Sequence, residues 1–163
     1  MRVLGIDPGL AIVGYGIIDF DGNKYKVVDY GVITTPAKTG YAKRIKMLYD
    51  SMEILLNQYE VDEVAIEELF FNQNTKTAID VAQARGALVL SVMNKGVELF
   101  EYTPLQVKQS VCGYGRADKR QVQDMVQRLL SLKSIPKPDD AADALAIAIG
   151  HCSTNRFSKL FKV

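Results

Sequence analysis

Cysteine is scarce in this chain: Cys112 and Cys152 are the only two, and they form no CxxC pair. A disulfide framework and a zinc ribbon are thereby excluded, and two small, partly buried thiols are expected instead. Histidine is scarcer, since His151 stands alone. Its expected place is a structural one near the end of the last helix, with metal ligand or base as the alternatives. No apolar run approaches the length of a bilayer span. The N-terminal residues Met1-Arg2-Val3-Leu4-Gly5 run straight into a strand-like stretch without the layout of a signal peptide, so a cytoplasmic location is expected. Charge of one sign is also missing: 20 basic and 19 acidic residues leave a formal net charge of +1. Composition therefore does not mark a nucleic-acid binder, and any basic footprint must be local. There is no repeat, low-complexity tract or long linker. The 163 residues, 48% hydrophobic and 24% charged, suit one soluble domain with a substantial core.

Residues 2–7 form a short apolar run ending in Asp-Pro-Gly, and residues 13–20 and 25–34 read as further strands. Asp21-Gly22-Asn23 between the last two is a turn signal, which predicts a three-strand antiparallel meander. Over residues 41–59 the period changes: Ile45, Leu48, Tyr49, Met52, Leu55, Leu56 and Tyr59 recur at three and four, the mark of an amphipathic helix. Residues 61–67 return to strand, and residues 74–94 read as helix with Ile79, Ala82, Gly86, Val89, Leu90 and Met93 on one face. A strand over 97–102 and a short helix opened by Thr103-Pro104 follow. Asp118, with Gln121 three residues on, is placed to cap a helix that turns Val122, Met125, Val126, Leu129 and Leu130 inward. Pro136 and Pro138 then break the chain, and Asp139 is placed to cap a last helix through about Cys152. This order predicts an α/β protein with a mixed five-stranded sheet flanked by helices over residues 1–152, followed by a basic tail, expected to be disordered, over residues 153–163.

Acids stand at the ends of these elements. Asp7 closes the first strand, Glu67 and Glu68 close a later one, and Asp139, Asp140 and Asp143 open the last helix. Asp140 and Asp143 are three apart and share a helix face. Their neighbours are apolar: Leu4-Gly5-Ile6, Val64-Ala65-Ile66, and the run Ala141-Ala142-Asp143-Ala144-Leu145. A carboxylate in such surroundings is costly unless paired, and these segments carry no matching set of Lys or Arg. A cation from solution is the natural partner. Oxygen-only ligands favour Mg²⁺ or Mn²⁺ over zinc. Two such ions roughly 4 Å apart suit phosphodiester hydrolysis.

Gly5-Ile6-Asp7-Pro8-Gly9, Gly14-Tyr15-Gly16, Ala65-Ile66-Glu67, Gln83-Ala84-Arg85-Gly86, Gln106-Val107-Lys108-Gln109 and the run from Asp140 to Ala148 stand in a set order and spacing. In that order and spacing the chain resembles the RuvC Holliday-junction resolvases of the RNase H-like superfamily, from residue 1 to about 152. The resemblance implies four catalytic, metal-holding acids at Asp7, Glu67, Asp140 and Asp143, which leaves Glu68 and Asp139 as extra acids. It implies Mg²⁺ as cofactor, two ions per site with Mn²⁺ as substitute. It also implies a homodimer cutting opposed strands of a four-way DNA junction in recombination and repair, in partnership with the RuvA–RuvB branch-migration complex. The helix at 74–94, with Ala82, Gly86 and Ala87 among larger apolar groups, is where this family pairs its protomers.

Residues 105–120 hold Lys108, Arg116, Lys119 and Arg120 against one acid, Asp118, and Gly113-Tyr114-Gly115 marks the stretch as a flexible loop with an aromatic. Such cations neutralise phosphate charge without reading bases. The resemblance favours Lys108 and Lys119 for this contact. Phe70 and Phe71 follow the Glu67 strand, and side-chain alternation lets only one of them point inward from an extended segment. The resemblance favours Phe70 as the residue that stacks on an unpaired base. The tail adds Arg156, Lys159 and Lys162.

Other classes compete. An actin-like ATPase or sugar kinase begins with a similar acid-and-glycine turn, but it needs a second domain and a second phosphate turn that this chain lacks. Another nuclease of the superfamily, acting on RNA or simple DNA ends, has the same acids. A non-catalytic junction-binding module predicts a broken acidic set.

Overall fold

The fold is that of a computed structural model in which residues 1–69, 75–154 and 162–163 are described. Ten elements follow in chain order: β1 (Arg2–Asp7), β2 (Ile12–Phe20), β3 (Tyr25–Thr34), α1 (Tyr41–Tyr59), β4 (Glu63–Glu67), α2 (Thr75–Lys95), β5 (Glu98–Tyr102), α3 (Pro104–Cys112), α4 (Lys119–Leu129) and α5 (Asp139–Thr154). The strands form one sheet in the order β3-β2-β1-β4-β5. The three-strand meander is antiparallel, while β1, β4 and β5 run parallel. The turn between β2 and β3 closes as its residues predict: Asp21 Oδ1 accepts from the amides of Asn23 (2.9 Å) and Lys24 (2.8 Å), and Gly22 takes φ +99°.

Alternation along the strands divides the core into two layers. Leu4, Ile6, Val64 and Ile66 face α1 and α2, where Leu48, Met52, Leu56 and Leu88 meet them. Val3 and Ala65 face the other way, toward Leu145, Ala148 and Ile149 of α5 and the buried residues of α3 and α4. This is the mixed, helix-flanked sheet that the sequence leads one to expect.

Glycine brings α5 unusually close to the sheet. A Cβ on Gly5 would stand 2.1 Å from the Ala144 carbonyl oxygen, and one on Gly14 would stand 2.0 Å from that of Asp140. Strand and helix backbones touch at these points, so the glycines of the first two strands serve close packing. The first turn of α5 is thereby held over the end of β1.

Three details depart from the sequence reading. Asp139 is the first residue of α5, not its cap, and its carboxylate turns to Lys137 and Lys119. The stretch 105–120 is mostly helical; only residues 113–118 link α3 to α4, and Lys108 stands on a helix. α5 runs on to Thr154, and Val163 donates its amide to the Leu99 carbonyl on β5 (3.0 Å), so the chain end is docked on the edge strand. Arg156 and Lys159 lie outside the described residues.

The apolar stripe expected on α2 has a second side. Ala84, Leu88 and Val92 are the buried apolar residues of the helix and join the core on the sheet, while Ile79, Leu90 and Met93 are each more than half exposed. A Cβ on Gly86 would meet nothing within 4 Å. Among the described residues no helix is long and apolar enough to cross a membrane.

Candidate active site

Asp7 and Glu67 end the adjacent parallel strands β1 and β4, whose register pairs Gly5 with Ala65 and Ile6 with Ile66. Alternation puts both acids on the α5 side of the sheet, and the backbone contact at Gly14 brings the start of α5 to the same corner. The electrostatics record the meeting. Burial, then Glu67, Asp143 and Asp140, push the Asp7 carboxyl up to about 8, against Lys119. Burial and Asp143 push Glu67 up to about 7, opposed by Lys108 and Lys119. Burial also raises Asp143, with Lys119 pulling the other way. Asp140 joins the group through its charge on Asp7 and Asp143.

The two neighbouring acids face elsewhere. The charge of Glu68 is felt by Arg85 on the α2 side. Asp139 is 3.0 Å from Lys137 Nζ and 3.5 Å from Lys119 Nζ, and Lys137 holds its carboxyl below the ordinary range.

A basic partner does exist for one acid, contrary to the sequence-based expectation. Lys119 Nζ donates to Asp143 Oδ2 at 3.1 Å. It comes from the first residue of α4, whose start is fixed by a capping box: Asp118 accepts from the Gln121 amide, and the Gln121 side chain accepts from the Asp118 amide. The pairing is invisible in the acidic segments because 24 residues separate the partners. Lys119, Lys108, Glu67 and Asp143 line a pocket of about 230 Å³, together with the apolar side chains of Val107, Val122 and Ile147.

Of the other expected contacts, Arg116 is exposed in the α3–α4 loop. Arg120 turns along α4 to Asp124 (3.2 Å). Phe70 and Phe71 lie outside the described residues. His151 is fully buried, bonded to Glu63 and Tyr102, and stands eight residues along α5 from Asp143. Its place is structural. Sequence reasoning assigns no role to Arg85, a mostly buried side chain that donates from Nε to the Glu67 carbonyl (3.2 Å) and pairs with Glu101. A charged residue next to Ala84 on a sheet-facing helix is the signal that could have found it.

The donor set tests the fit of a metal. As the side chains stand, no three His, Cys, Asp or Glu among the described residues close around one point. The acids share a neighbourhood rather than a cage, and Lys119 occupies one oxygen of Asp143. Their chemistry nevertheless suits a hard divalent cation: the donors are all oxygen, and burial first, then the neighbouring acids, raise the Asp7 and Glu67 carboxyls despite the opposing charge of nearby lysines.

The family model described as crossover junction endodeoxyribonuclease RuvC matches residues 3–151. The protein of that name from Alkaliphilus oremlandii is 58% identical over 163 residues, covering all of this chain and 99% of the relative. The Thermus thermophilus RuvC structure superposes with a TM-score of 0.92 at 33% identity over the whole of both chains. The same Thermus protein in complex with a Holliday junction substrate superposes with a TM-score of 0.91 at 31% identity, again over both whole chains.

Proposed function

The chain belongs to the RuvC family of crossover junction endodeoxyribonucleases, with the RNase H-like fold of that family, and we propose on that footing that it resolves four-way DNA junctions by metal-dependent phosphodiester hydrolysis in recombination and repair. The observation that carries the site assignment is the crowding of Asp7, Glu67 and Asp143, three carboxyls pushed up by burial and by their neighbouring acids at one corner of the sheet. With Asp140 they are the groups that hold the divalent ions. Mg²⁺ is the fitting ion, two per site, with Mn²⁺ as substitute. Bound there, such ions supply Lewis acidity toward the scissile phosphate and toward an attacking water.

The remaining work falls to the chain's own residues. Lys108 and Lys119, at the pocket, offset phosphate charge and orient the backbone without reading bases. The acids fix the ions because β1, β4 and α5 hold them on rigid elements. Arg116, exposed nearby, adds to the basic footprint, and Arg120, tied to Asp124, contributes less. Phe70 keeps the stacking role that its sequence position gives it. The nuclease domain then extends to the end of α5 at Thr154, with a basic tail after it, and the protein acts in the cytoplasm.

The outward face of α2, with Ile79, Leu90 and Met93 exposed around an open Gly86, supports a homodimer through this helix. Such a dimer presents two sites to opposed strands. Partnership with the RuvA–RuvB complex follows from family membership. A nuclease for RNA or simple DNA ends is not favoured, since the relatives are named for crossover junctions.

One substrate panel tests the reading: four-way junction, duplex, flap and RNA–DNA hybrid, each with Mg²⁺ and with EDTA, for the wild type and Asp143→Asn. Paired cuts confined to the junction, dependent on Mg²⁺ and lost in Asp143→Asn, are expected. Equal cutting of hybrid or flap would overturn the junction assignment.

A further inference from the structure

Two residues far from the acids stand at the other ends of the elements that carry them. Glu63 opens β4 and Glu67 closes it, four residues later, a rise of about 13 Å along a strand. Asp143 and His151 are eight residues apart on α5, a rise of about 12 Å along a helix. At one end Asp143 and Glu67 share the pocket. At the other, His151 Nε2 is 2.5 Å from Glu63 Oε2. The two spans are of similar length, and both pairs of ends meet, so a bond at the Glu63 end bears on the place of Asp143 at the other.

Between the two ends α5 is seated on β1 and β2 by close backbone packing at Gly5 and Gly14, and it meets β4 through small apolar side chains. Ala65, Ala144 and Ala148 are buried and carry no directional group. Apolar contact resists separation and leaves sliding and rotation comparatively free. Among the described residues, side-chain hydrogen bonds tie the last turn of α5 to the sheet: His151 to Glu63 on β4, His151 to Tyr102 on β5 (2.7 Å), Thr154 to Tyr102 (3.3 Å), and Ser153 to Tyr25 on β3 (2.9 Å). Neutral imidazole satisfies both of its partners at once, with the Tyr102 hydroxyl donating to Nδ1 and Nε2–H donating to Glu63.

We propose that Glu63 and His151 are positioning residues: their bond sets the register of α5 on β4, and through it the place of Asp143 against Glu67. The proposal rests on the reading of those acids as catalytic.

The test uses the full-length protein on a four-way junction under single-turnover conditions, well below each variant's melting temperature. Junction affinity is measured separately in EDTA. His151→Leu and Glu63→Leu are expected to cut on the order of a hundredfold more slowly, the penalty of about 1 Å of misplacement, with junction affinity unchanged. Glu63→Gln keeps an acceptor for Nε2–H and is expected to recover most of the rate that Glu63→Leu loses. A folded His151→Leu that cuts at the wild-type rate would overturn the proposal. So would a loss that only tracks the unfolded fraction, or a Glu63→Gln as slow as Glu63→Leu. If His151→Leu does not fold, the two Glu63 variants decide. Asp143→Asn in the same assay separates the two claims. If it cuts, the catalytic reading fails; if it is dead while a folded His151→Leu is fully active, only the register proposal fails.

Discussion

Lys119 Nζ stands 3.1 Å from Asp143 Oδ2, which makes a residue outside every acidic segment the direct partner of one of the four acids. Its side chain is more than half exposed, so it can also reach a phosphate in the pocket. Lys119→Ala is therefore expected to weaken junction binding, to lower the salt slope of binding by about 1, and to slow cutting. Arg120→Ala, which removes a group already bound to Asp124, is expected to change binding less. Titrations of fluorescent junction at several salt concentrations measure both. Equal slopes for wild type and Lys119→Ala would remove Lys119 from the interface.

Asp7→Asn is expected to abolish cutting and to raise the melting temperature in EDTA. In the folded chain the Asp7 carboxyl is pushed up to about 8, far above its ordinary 3.8, so its charged form opposes folding. The sign follows directly. Between the unfolded and folded values the native state binds the extra proton, so stability is lost as pH rises and regained as pH falls. The melting-temperature gap between Asp7→Asn and wild type should therefore narrow from pH 9 toward pH 5. Mg²⁺ should stabilise the wild type more than the variant, because the ion replaces the missing counter-charge. Scanning fluorimetry across pH, with Mg²⁺ and with EDTA, checks this. A gap that widens on acidification would contradict it.

Gly5→Ala should damage fold and site together. The added methyl meets the Ala144 carbonyl oxygen at 2.1 Å and the Ala148 nitrogen at 2.8 Å, both main-chain atoms with little room to yield. Overpacking of this kind costs about 1–3 kcal/mol or more. For a chain of this size that is a fall of roughly 2–12 °C in melting temperature. Because α5 carries Asp140 and Asp143, cutting should fall further than the unfolded fraction explains. Gly86→Ala, facing open space, should leave the monomer fold intact by comparison.

Leu90→Glu and Met93→Lys place charge on the exposed face of α2 without disturbing Leu88 or Val92 beneath it. Both should shift the protein toward monomer in sedimentation at micromolar concentration and uncouple the two cuts. A variant that stays dimeric would move the dimer interface off this helix.

Much of the architecture is legible in the sequence because period and turn chemistry agree. The Asp21-Gly22-Asn23 turn, the spacing from Ile45 to Tyr59, and the Asp118–Gln121 cap each mark a local structure that tertiary contacts then keep. What the sequence leaves open is set by contacts between distant segments. Local pattern does not tell Glu67 from Glu68; the family resemblance selects Glu67, and Ala65 facing α5 supplies the physical reason. Lys119 cannot be matched to Asp143 across an intervening loop and helix. On α2 both sides of the helix carry apolar residues, so periodicity alone does not say whether Leu88 or Leu90 meets the sheet. The glycines at 5 and 14 stand in the sequence only as motif residues, and the position of α5 is what gives them their packing role.

Eleven of the sixteen residues of α5 are buried, and its face rests on the centre of the sheet. An acid pair carried on a surface loop could be lost by local opening long before a protein melts. Here Asp140 and Asp143 ride on an element whose release exposes much of the core. Heat inactivation should therefore coincide with global unfolding rather than precede it, and amides along this helix should exchange with solvent only as slowly as the whole molecule opens.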